Sequence, residues 1–524
     1  MSEDAQVHPE DRSHEQSGDP QERGREAEVL RGRRDSLERI RERGAEPFAL
    51  SLRSALGVEE PDLAQQVRDR FGDLGVDEIT DERRTLAGRV VLLRDIGKLR
   101  FLVVRDRSAD LQIVAVRRDL SDDDWAALDE VDLGDVLGVQ GRVGTTRKGE
   151  LSLFADRLAL LTKALRPLPE KWHGLKDPDL QQRRRYLQLA TDPDARRLVR
   201  SRAGVLREIR SYLDGRGFVE VETPVIQSVA GGALARPFTT HHHVLDMDLK
   251  LRISLELYLK RLLVGGLDRV YEMGRIFRNE GIDRAHNPEF TMLEAYQAYG
   301  DYDDMMRLAQ DVVRRSARAV NAEMGRDPDS LVVPYRGRQI DLAPDFARIT
   351  VLDSVSEAVG ERVSLDRDDL PELARRHGIE PQPGWGPGKI VQELFEKLVE
   401  SALWEPTFVC DFPQEVSPLA RPHRDDPDLT EHFDLVVGGL ELATAFSELT
   451  DPDDQRARFE AQQTARTAGD EEAHPLDEDF LRALEHGMPP AGGIGIGIDR
   501  LLILLTDSDS ARDLILFPHH RPES

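Results

Sequence analysis

The strongest constraint on the fold is a change of hydrophobic period inside the first third of the chain. Before residue 86 the apolar residues are sparse or recur at roughly helical spacing, as Val29, Leu30, Leu37 and Ile40 do in "REAEVLRGRRDSLERIRERG". Over residues 86–165 the period becomes two, which puts alternate side chains on opposite faces of an extended chain. "AGRVVLLRDIGKLRFLVVRDRSADLQIVAVRRDL" reads as three strands broken at residues 95–97 and 106–110. After an acidic helical piece around "DDDWAALDEV", "DVLGVQGRVGTTRKGELSLFADRLALL" adds two more strands with a turn at residues 145–149. Five short strands with one helix suit a small Greek-key barrel.

Barrels of the oligonucleotide-binding (OB) type hold single-stranded bases by aromatic stacking and by hydrogen bonds to base edges, so Phe101 is a candidate stacker and Gln112 a candidate edge reader. A net charge of −27 argues at first sight against nucleic acid. Net charge sets the mean field, however, and a local basic face can still serve. At 524 residues the chain is too long for one core. Residues 1–25, acidic and nearly free of large apolar groups, read as a disordered tail. Residues 26–85 read as a helical segment, either solvated or touching RNA phosphates. The proline-rich and charged residues 166–180 read as a linker. Residues 181–524 then form a second, larger domain with a helical insertion at about residues 345–405. In it a helix is expected from Asp192 as cap and Pro193 in the first turn to residues 215–217. "FVEVETPVI" alternates as a strand until Pro224, the mark of an edge or interface. No apolar run is long enough to span a membrane and no apolar block of the signal-peptide kind follows a basic amino terminus, so the expected compartment is the cytoplasm. The single cysteine, Cys410, excludes an internal disulfide framework and reads as a small buried strand residue.

Three blocks of the larger domain carry chemistry. In "FRNEGIDRAHNPEF" charged and amide groups crowd between Phe277 and Phe290, and Arg278 and Glu280, two apart, would share one face of a strand. An arginine fork there suits a carboxylate or phosphate. Glu294 and Tyr296 repeat the spacing on the next strand. "HFDLVVGGLELATAFSEL" reads as two strands around Gly438 and Gly439. Its acids Asp434 and Glu441 would serve as hard oxygen ligands for magnesium, and Glu448 lies two residues after Phe446. "AGGIGIGIDRLLILLTD" alternates glycine with isoleucine, leaving one strand face bare for a flat group such as a purine, with Arg500 placed to stack on it. Its spacing is not that of a dinucleotide fingerprint. His241, His242 and His243, consecutive in a strand, alternate faces and make a poor metal site.

In their order, "VEVETPV", "FRNEG…HNPEFTMLE" and "GIGIGIDR" resemble the three signature motifs of class II aminoacyl-tRNA synthetases. "GGALARPFTTHH", "LRISLELYLKRLLVGGLDRVYEMGRIFRNEG", "EVSPLAR" and "RDLILFP" resemble the bacterial lysyl members of that family, and the similarity runs from Ser36 to Pro522. The resemblance implies an α+β protein, an antiparallel catalytic sheet with flanking helices preceded by an all-β OB-fold barrel, assembled as a homodimer. It implies ATP-dependent activation of L-lysine and transfer to the lysine tRNA, with Mg2+ as cofactor. Arg278 would bridge the lysine carboxylate and the α-phosphate, acting with Arg500 as the catalytic cations. Glu280, His286, Asn287 and Phe290 would bind ATP, with Phe290 and Arg500 on either side of the purine. Asp434 and Glu441 would hold the metal. Gly232 and Glu256 would receive the α-amino group, Glu294, Tyr296 and Glu448 would surround the ε-ammonium, and Phe446 would cover the methylenes. Thr444 stands where many members have asparagine and would take its part on the carboxylate. Arg94, Phe101, Gln112 and Glu150 would read the anticodon. Competing readings are a paralogue that gives lysine to another acceptor, a non-catalytic RNA-binding relative, and an aspartate or asparagine enzyme of the same architecture.

Overall fold

A computed structural model describes residues 20–169, 175, 177–467 and 475–522. The chain divides into two compact units, the second being Pro178–His519 and the first the chain up to Asp177 together with the residues from His520 on. The first 19 residues of the expected tail lie outside the described residues, and the helix α1 (Pro20–Glu42) begins before the tail was expected to end. Leu37 and Ile40 of α1 are buried, and Ile40 joins the barrel core. Its arginines are put to use inside the unit: Arg39 and Arg43 both pair with Glu130, at 2.8 and 2.5 Å, and Arg33 donates to the carbonyls of Ala164 and Leu133. Short helices α2 (Leu52–Leu56) and α3 (Ala64–Phe71) follow.

The barrel strands are β1 (Ile79–Asp95), β2 (Leu99–Arg105), β3 (Asp110–Val116), β4 (Val136–Thr145) and β5 (Leu151–Thr162), with α4 (Asp122–Asp129) between β3 and β4. They close in the order β1-β2-β3-β5-β4. The first strand starts seven residues earlier than its side chains suggest, inside the stretch read as helical, because "ITDERR" pairs with β4 through backbone groups while its charged side chains hide the alternation. An irregularity between Val90 and Leu92 bends β1 so that it serves both β2 and β4. Leu86, Val90, Leu102, Ile113, Leu137, Val139 and Leu153 fill the interior.

The expected linker, residues 166–180, lies partly outside the described residues, and α5 (Pro178–Arg183) already occupies its end. After α6 (Arg185–Thr191), the helix α7 (Pro193–Gly215) is capped by Asp192, whose side chain accepts from the Asp194 amide. "FVEVETPVI" gives only a two-residue strand, β6 (Val219–Glu220), at the sheet edge. The chain then leaves the sheet because the Glu272 carboxylate takes the Thr223 amide and hydroxyl, at 2.9 and 2.7 Å. A small sheet follows, built from β7 (Ile226–Gln227), β8 (Thr239–His242) and β9 (Met247–Leu251).

Next come α8 (Glu256–Val264), the hairpin strands β10 (Arg269–Phe277) and β11 (Glu289–Ala298), and α9 (Tyr302–Glu323). Asp301 caps α9, and Met305, Leu308, Ala309, Val312, Val313, Ala317 and Val320 bury its apolar stripe. The pair β12 (Val332–Tyr335) and β13 (Arg338–Asp341) precedes β14 (Ala347–Thr350). Helices α10 (Val351–Val359), α11 (Leu370–Arg376) and α12 (Pro387–Leu398) contribute most of a separate apolar cluster. The rest is β15 (Thr407–Cys410), β16 (His432–Val437), β17 (Leu440–Ser447), α13 (Pro452–Thr467), α14 (Glu478–Glu485), β18 (Ala491–Gly497) and α15 (Ile498–Thr506). The eight-stranded sheet runs β14-β15-β16-β17-β18-β11-β10-β6, antiparallel except at its two outermost pairs. The unit is thus α+β, and the sheet centre brings β11, β17 and β18 together.

Candidate active site

The glycine-isoleucine alternation of β18 sorts itself by face. Ile494 and Ile496 pack into the core, while Gly493 pairs with Tyr296 on one side and Phe446 on the other, and Gly495 with Glu294 and Thr444. Bare backbone there leaves room for acids that no ordinary strand would tolerate. Glu294, Glu448 and Glu256 are 3%, 1% and 4% exposed. Glu294 accepts from the Ser254 hydroxyl (2.9 Å), the Leu255 amide (2.8 Å) and the Tyr296 hydroxyl (3.1 Å). Burial still pushes it up to about 7, against the pull of those donors. Burial likewise raises Glu448 and Glu256, opposed by the ammonium of Lys260. The Tyr296 hydroxyl is held well above its ordinary value by burial and by the three carboxylates. Gly232, at φ +88°, brings its backbone against this group: a Cβ there would lie 2.9 Å from Ser254 Oγ and 3.1 Å from Glu256 Cβ.

The sequence reading overlooked Lys260. It is fully buried, 2.6 Å from Glu256 Oε1 and ion-paired with Glu448. The signal was present: Glu256, Leu259, Lys260 and Leu263 form the buried stripe of α8, so a lysine sits where the period calls for an apolar residue.

On the neighbouring side, β10 ends at Phe277, so Arg278 and Glu280 do not share a strand face as expected. The Arg278 amide adds one further bond to the Pro288 carbonyl (2.9 Å), and the Asn279 amide then turns to Arg236 (2.7 Å), which leaves Glu280 exposed on the turn. Half-buried Arg278 donates to the Ile253 carbonyl and stands 5.2 Å over the Phe290 ring. Burial lowers its affinity for a proton, partly offset by Glu280. Arg500, in the first turn of α15, is 3.1 Å from Glu441 Oε1 and donates to His286 Nε2 (2.8 Å), whose Nδ1 faces Asp283 (2.7 Å). Asn287 is buried, its amide donating to the Glu289 carbonyl while its Oδ1 has no partner. Arg284 is half-buried, its guanidinium donating to the Ser508 carbonyl and its own carbonyl accepting from the Ala511 amide.

A bulge in β17 places the acids. The register changes from Leu435↔Ala443 to Val436↔Glu441, so Glu441 joins Asp434 and Thr444 on one face instead of pointing into the core. Glu400, which the sequence reading also overlooked, is pushed up to about 7 by burial and by the charges of Glu441 and Asp434. Among the described residues no group of three or more side chains is arranged to hold a metal by itself. His432 links the wall together, with Nε2 at 3.0 Å from Thr444 Oγ1 and 3.1 Å from Asp434 Oδ1, and Nδ1 at 2.7 Å from Ser417 Oγ. Its ring stacks on Phe412 at 4.1 Å and meets the edge of Phe446 at 4.7 Å.

In the barrel unit, register gathers the four expected contact residues. Arg94 pairs with Phe101, Val103 two residues on pairs with Gln112, and Gln112 pairs with Ser152. Gln112 donates to Ser152 Oγ (2.9 Å), which donates to the Glu150 carbonyl (3.0 Å). Arg94, Phe101 and Gln112 therefore lie on one face, opposite in parity to the buried Leu102 and Ile113, and exposed Glu150 just ahead of β5 is tied to it through its carbonyl.

A sheet of this order, with arginines supplied by the β10–β11 turn and by α15 and a five-stranded barrel ahead of it, is built as a class II tRNA synthetase. Residues 177–521 match the family described as tRNA synthetases class II (D, K and N), and residues 85–161 the family described as OB-fold nucleic acid binding domain. The lysine–tRNA ligase of Moorella thermoacetica is 49% identical over 95% of this chain and 99% of its own length. Those of Oceanobacillus iheyensis and Lactiplantibacillus plantarum are each 45% identical, over 94% of this chain and 98% and 97% of their own. The chain belongs to the lysine–tRNA ligase family of class II synthetases.

Proposed function

We propose that the chain activates L-lysine with ATP and transfers the lysyl group to the 3′ end of the lysine tRNA. The observation that carries this reading is Glu448 Oε1, a buried carboxylate oxygen with no hydrogen-bond partner, facing the bare backbone of Gly493 beside Glu294 and Tyr296. An ε-ammonium supplies the missing donor. A carboxylate or amide side chain would meet like charge or leave the acids unpaired, at a cost of several kcal/mol.

In the first step a lysine carboxylate oxygen attacks the α-phosphorus of ATP and pyrophosphate leaves. In the second, a terminal ribose hydroxyl of the tRNA attacks the lysyl carbonyl carbon and AMP leaves. Arg278 bridges the carboxylate and the α-phosphate, where its guanidinium is already partly desolvated and needs no reorganisation. Glu280 receives the adenine amino group. Phe290 and Arg500 flank the purine, and His286 meets the outer phosphates while Asn287 holds the turn. Gly232 and Glu256 take the α-amino group, Glu294, Tyr296 and Glu448 the ε-ammonium, and Phe446 the methylenes. Thr444, oriented by His432, takes the carboxylate.

Asp434 and Glu441 fit Mg2+. They are two hard ligands on one face in an excess of negative charge that Glu400 registers, and a nucleotide's phosphates complete such a site. Bound there, the ion neutralises phosphate charge. The outward barrel face with Arg94, Phe101, Gln112 and Glu150 reads the anticodon. Edge strand β6 fits a homodimer contact. No described helix is long and apolar enough to cross a membrane, in keeping with work in the cytoplasm. Charging assays with purified lysine, aspartate and asparagine tRNAs test the acceptor: only the lysine tRNA should be charged, and charging of another would overturn the reading.

A further inference from the structure

Among the described residues, Lys260 is the cation buried against both Glu256 and Glu448. Its Nζ donates to Glu256 Oε1 at 2.6 Å and to the Leu419 carbonyl at 3.4 Å, and forms an ion pair with Glu448 Oε2. It therefore bridges the acid assigned to the substrate α-amino group and the acid assigned to the ε-ammonium. We infer that Lys260 is a positioning residue that fixes the charge of the pocket, so that lysine enters as the exchange of its net positive charge for about one proton held by the acids. This rests on lysine being the substrate.

The counting is direct. Glu256, Glu294 and Glu448 can carry three negative charges, and Lys260 with the neighbouring Arg278 supplies two positive charges to the empty pocket. One negative charge is left over, which buried groups avoid by staying partly protonated. Lysine brings two ammonium groups, and its carboxylate goes to Arg278, so the filled pocket balances with all three acids ionised. Arg278, just past β10, enters the count because its charge reaches Glu294. From β11 come Glu294 and Tyr296, and β18 presents glycine. On α13, Arg458 is paired with Asp454 and turned to the carbonyls of Ser417 and Ala420. The raised proton affinities of Glu294, Glu448 and Glu256 agree with the count. Lys260 touches no substrate atom in this account. It holds Glu256 and Glu448 apart and draws both toward the ionised form, against the effect of burial, ready for their ammonium partners.

Two measurements test this. Calorimetric titration of lysine into the wild-type enzyme, in buffers of different ionisation enthalpy, should show release of about one proton at neutral pH, and affinity should rise with pH from about 6 to about 8.5 as the acids lose those protons unaided. Release below about half a proton with a flat affinity would overturn the inference while leaving the substrate assignment intact. A wild-type enzyme that binds no lysine would overturn both. In Lys260→Met, at unchanged melting temperature, the KM for lysine at neutral pH should rise about tenfold or more, and the pH at which it levels off should move up by about one unit. The KM for ATP should stay within about twofold. If Lys260→Met melts early, the wild-type proton count still decides. A raised KM with an unshifted pH profile would show that Lys260 only packs, and would overturn the positioning role.

Discussion

Glu448 and Gly493 are fitted so closely that a Cβ added to Gly493 would lie 2.0 Å from Glu448 Oε1, and 2.4 Å from the Tyr296 ring. The glycine is what lets a buried carboxylate face the sheet. Gly493→Ala should therefore close the amino-acid pocket, lowering kcat/KM for lysine about a hundredfold or more. Pyrophosphate exchange at varied lysine measures this, and an unchanged value would place the amino acid elsewhere.

Glu448→Gln removes an anion while keeping the shape. It leaves Lys260 with Glu256 alone and the substrate ε-ammonium with Glu294 and Tyr296. The KM for lysine should rise by about a hundredfold or more, with the KM for ATP nearly unchanged. Equal losses in both would mean that the acid acts on the fold and not on the ammonium.

Acid residues with raised proton affinity also set a stability trend. Glu294 holds its proton up to about 7 when folded, whereas the unfolded chain releases it at the ordinary carboxylate value. Between those limits the folded state binds more protons, so this group's contribution to stability falls as pH rises toward neutrality. Lysine supplies the counter-charge, so the rise in melting temperature on adding saturating lysine should be larger at pH about 8 than at pH about 6. Thermal melts at both values decide the sign, and an equal or reversed increment would contradict it.

In the barrel, Lys163 is fully buried and donates to Asp132 (2.6 Å), Asp135 (2.9 Å) and the Glu130 carbonyl (2.6 Å). Lys163→Ala would strand the buried Asp135 and should destabilise the barrel by about 3–5 kcal/mol. Denaturant unfolding should show the loss in the barrel transition, with lysine-dependent exchange retained.

Where the sequence was informative, the reason was local. The Asp192–Pro193 start of α7 follows from capping chemistry, and the bare face of β18 from its strict alternation. What it hid depends on pairing and burial. Charged residues masked the first turn of β1, since backbone pairing needs no apolar side chains. The bulge that aims Glu441 beside Asp434 is a register event with no signature in "LELATAF". Lys260 left a trace in the helical period of α8, but which acids it and Glu400 meet is set by the fold, and Arg278 and Glu280 proved to lie on a turn because β10 stops one residue short. The motif strings located the site, and tertiary contacts supplied its charge balance.

The central claim is that three buried acids and one resident lysine select a substrate with two ammonium groups. Amino-acid-dependent exchange of pyrophosphate into ATP, run with lysine, ornithine, arginine, norleucine, aspartate and asparagine, tests it most directly. The account predicts exchange with lysine and none above background with norleucine, aspartate or asparagine. Exchange with aspartate or asparagine, or norleucine matching lysine, would contradict it.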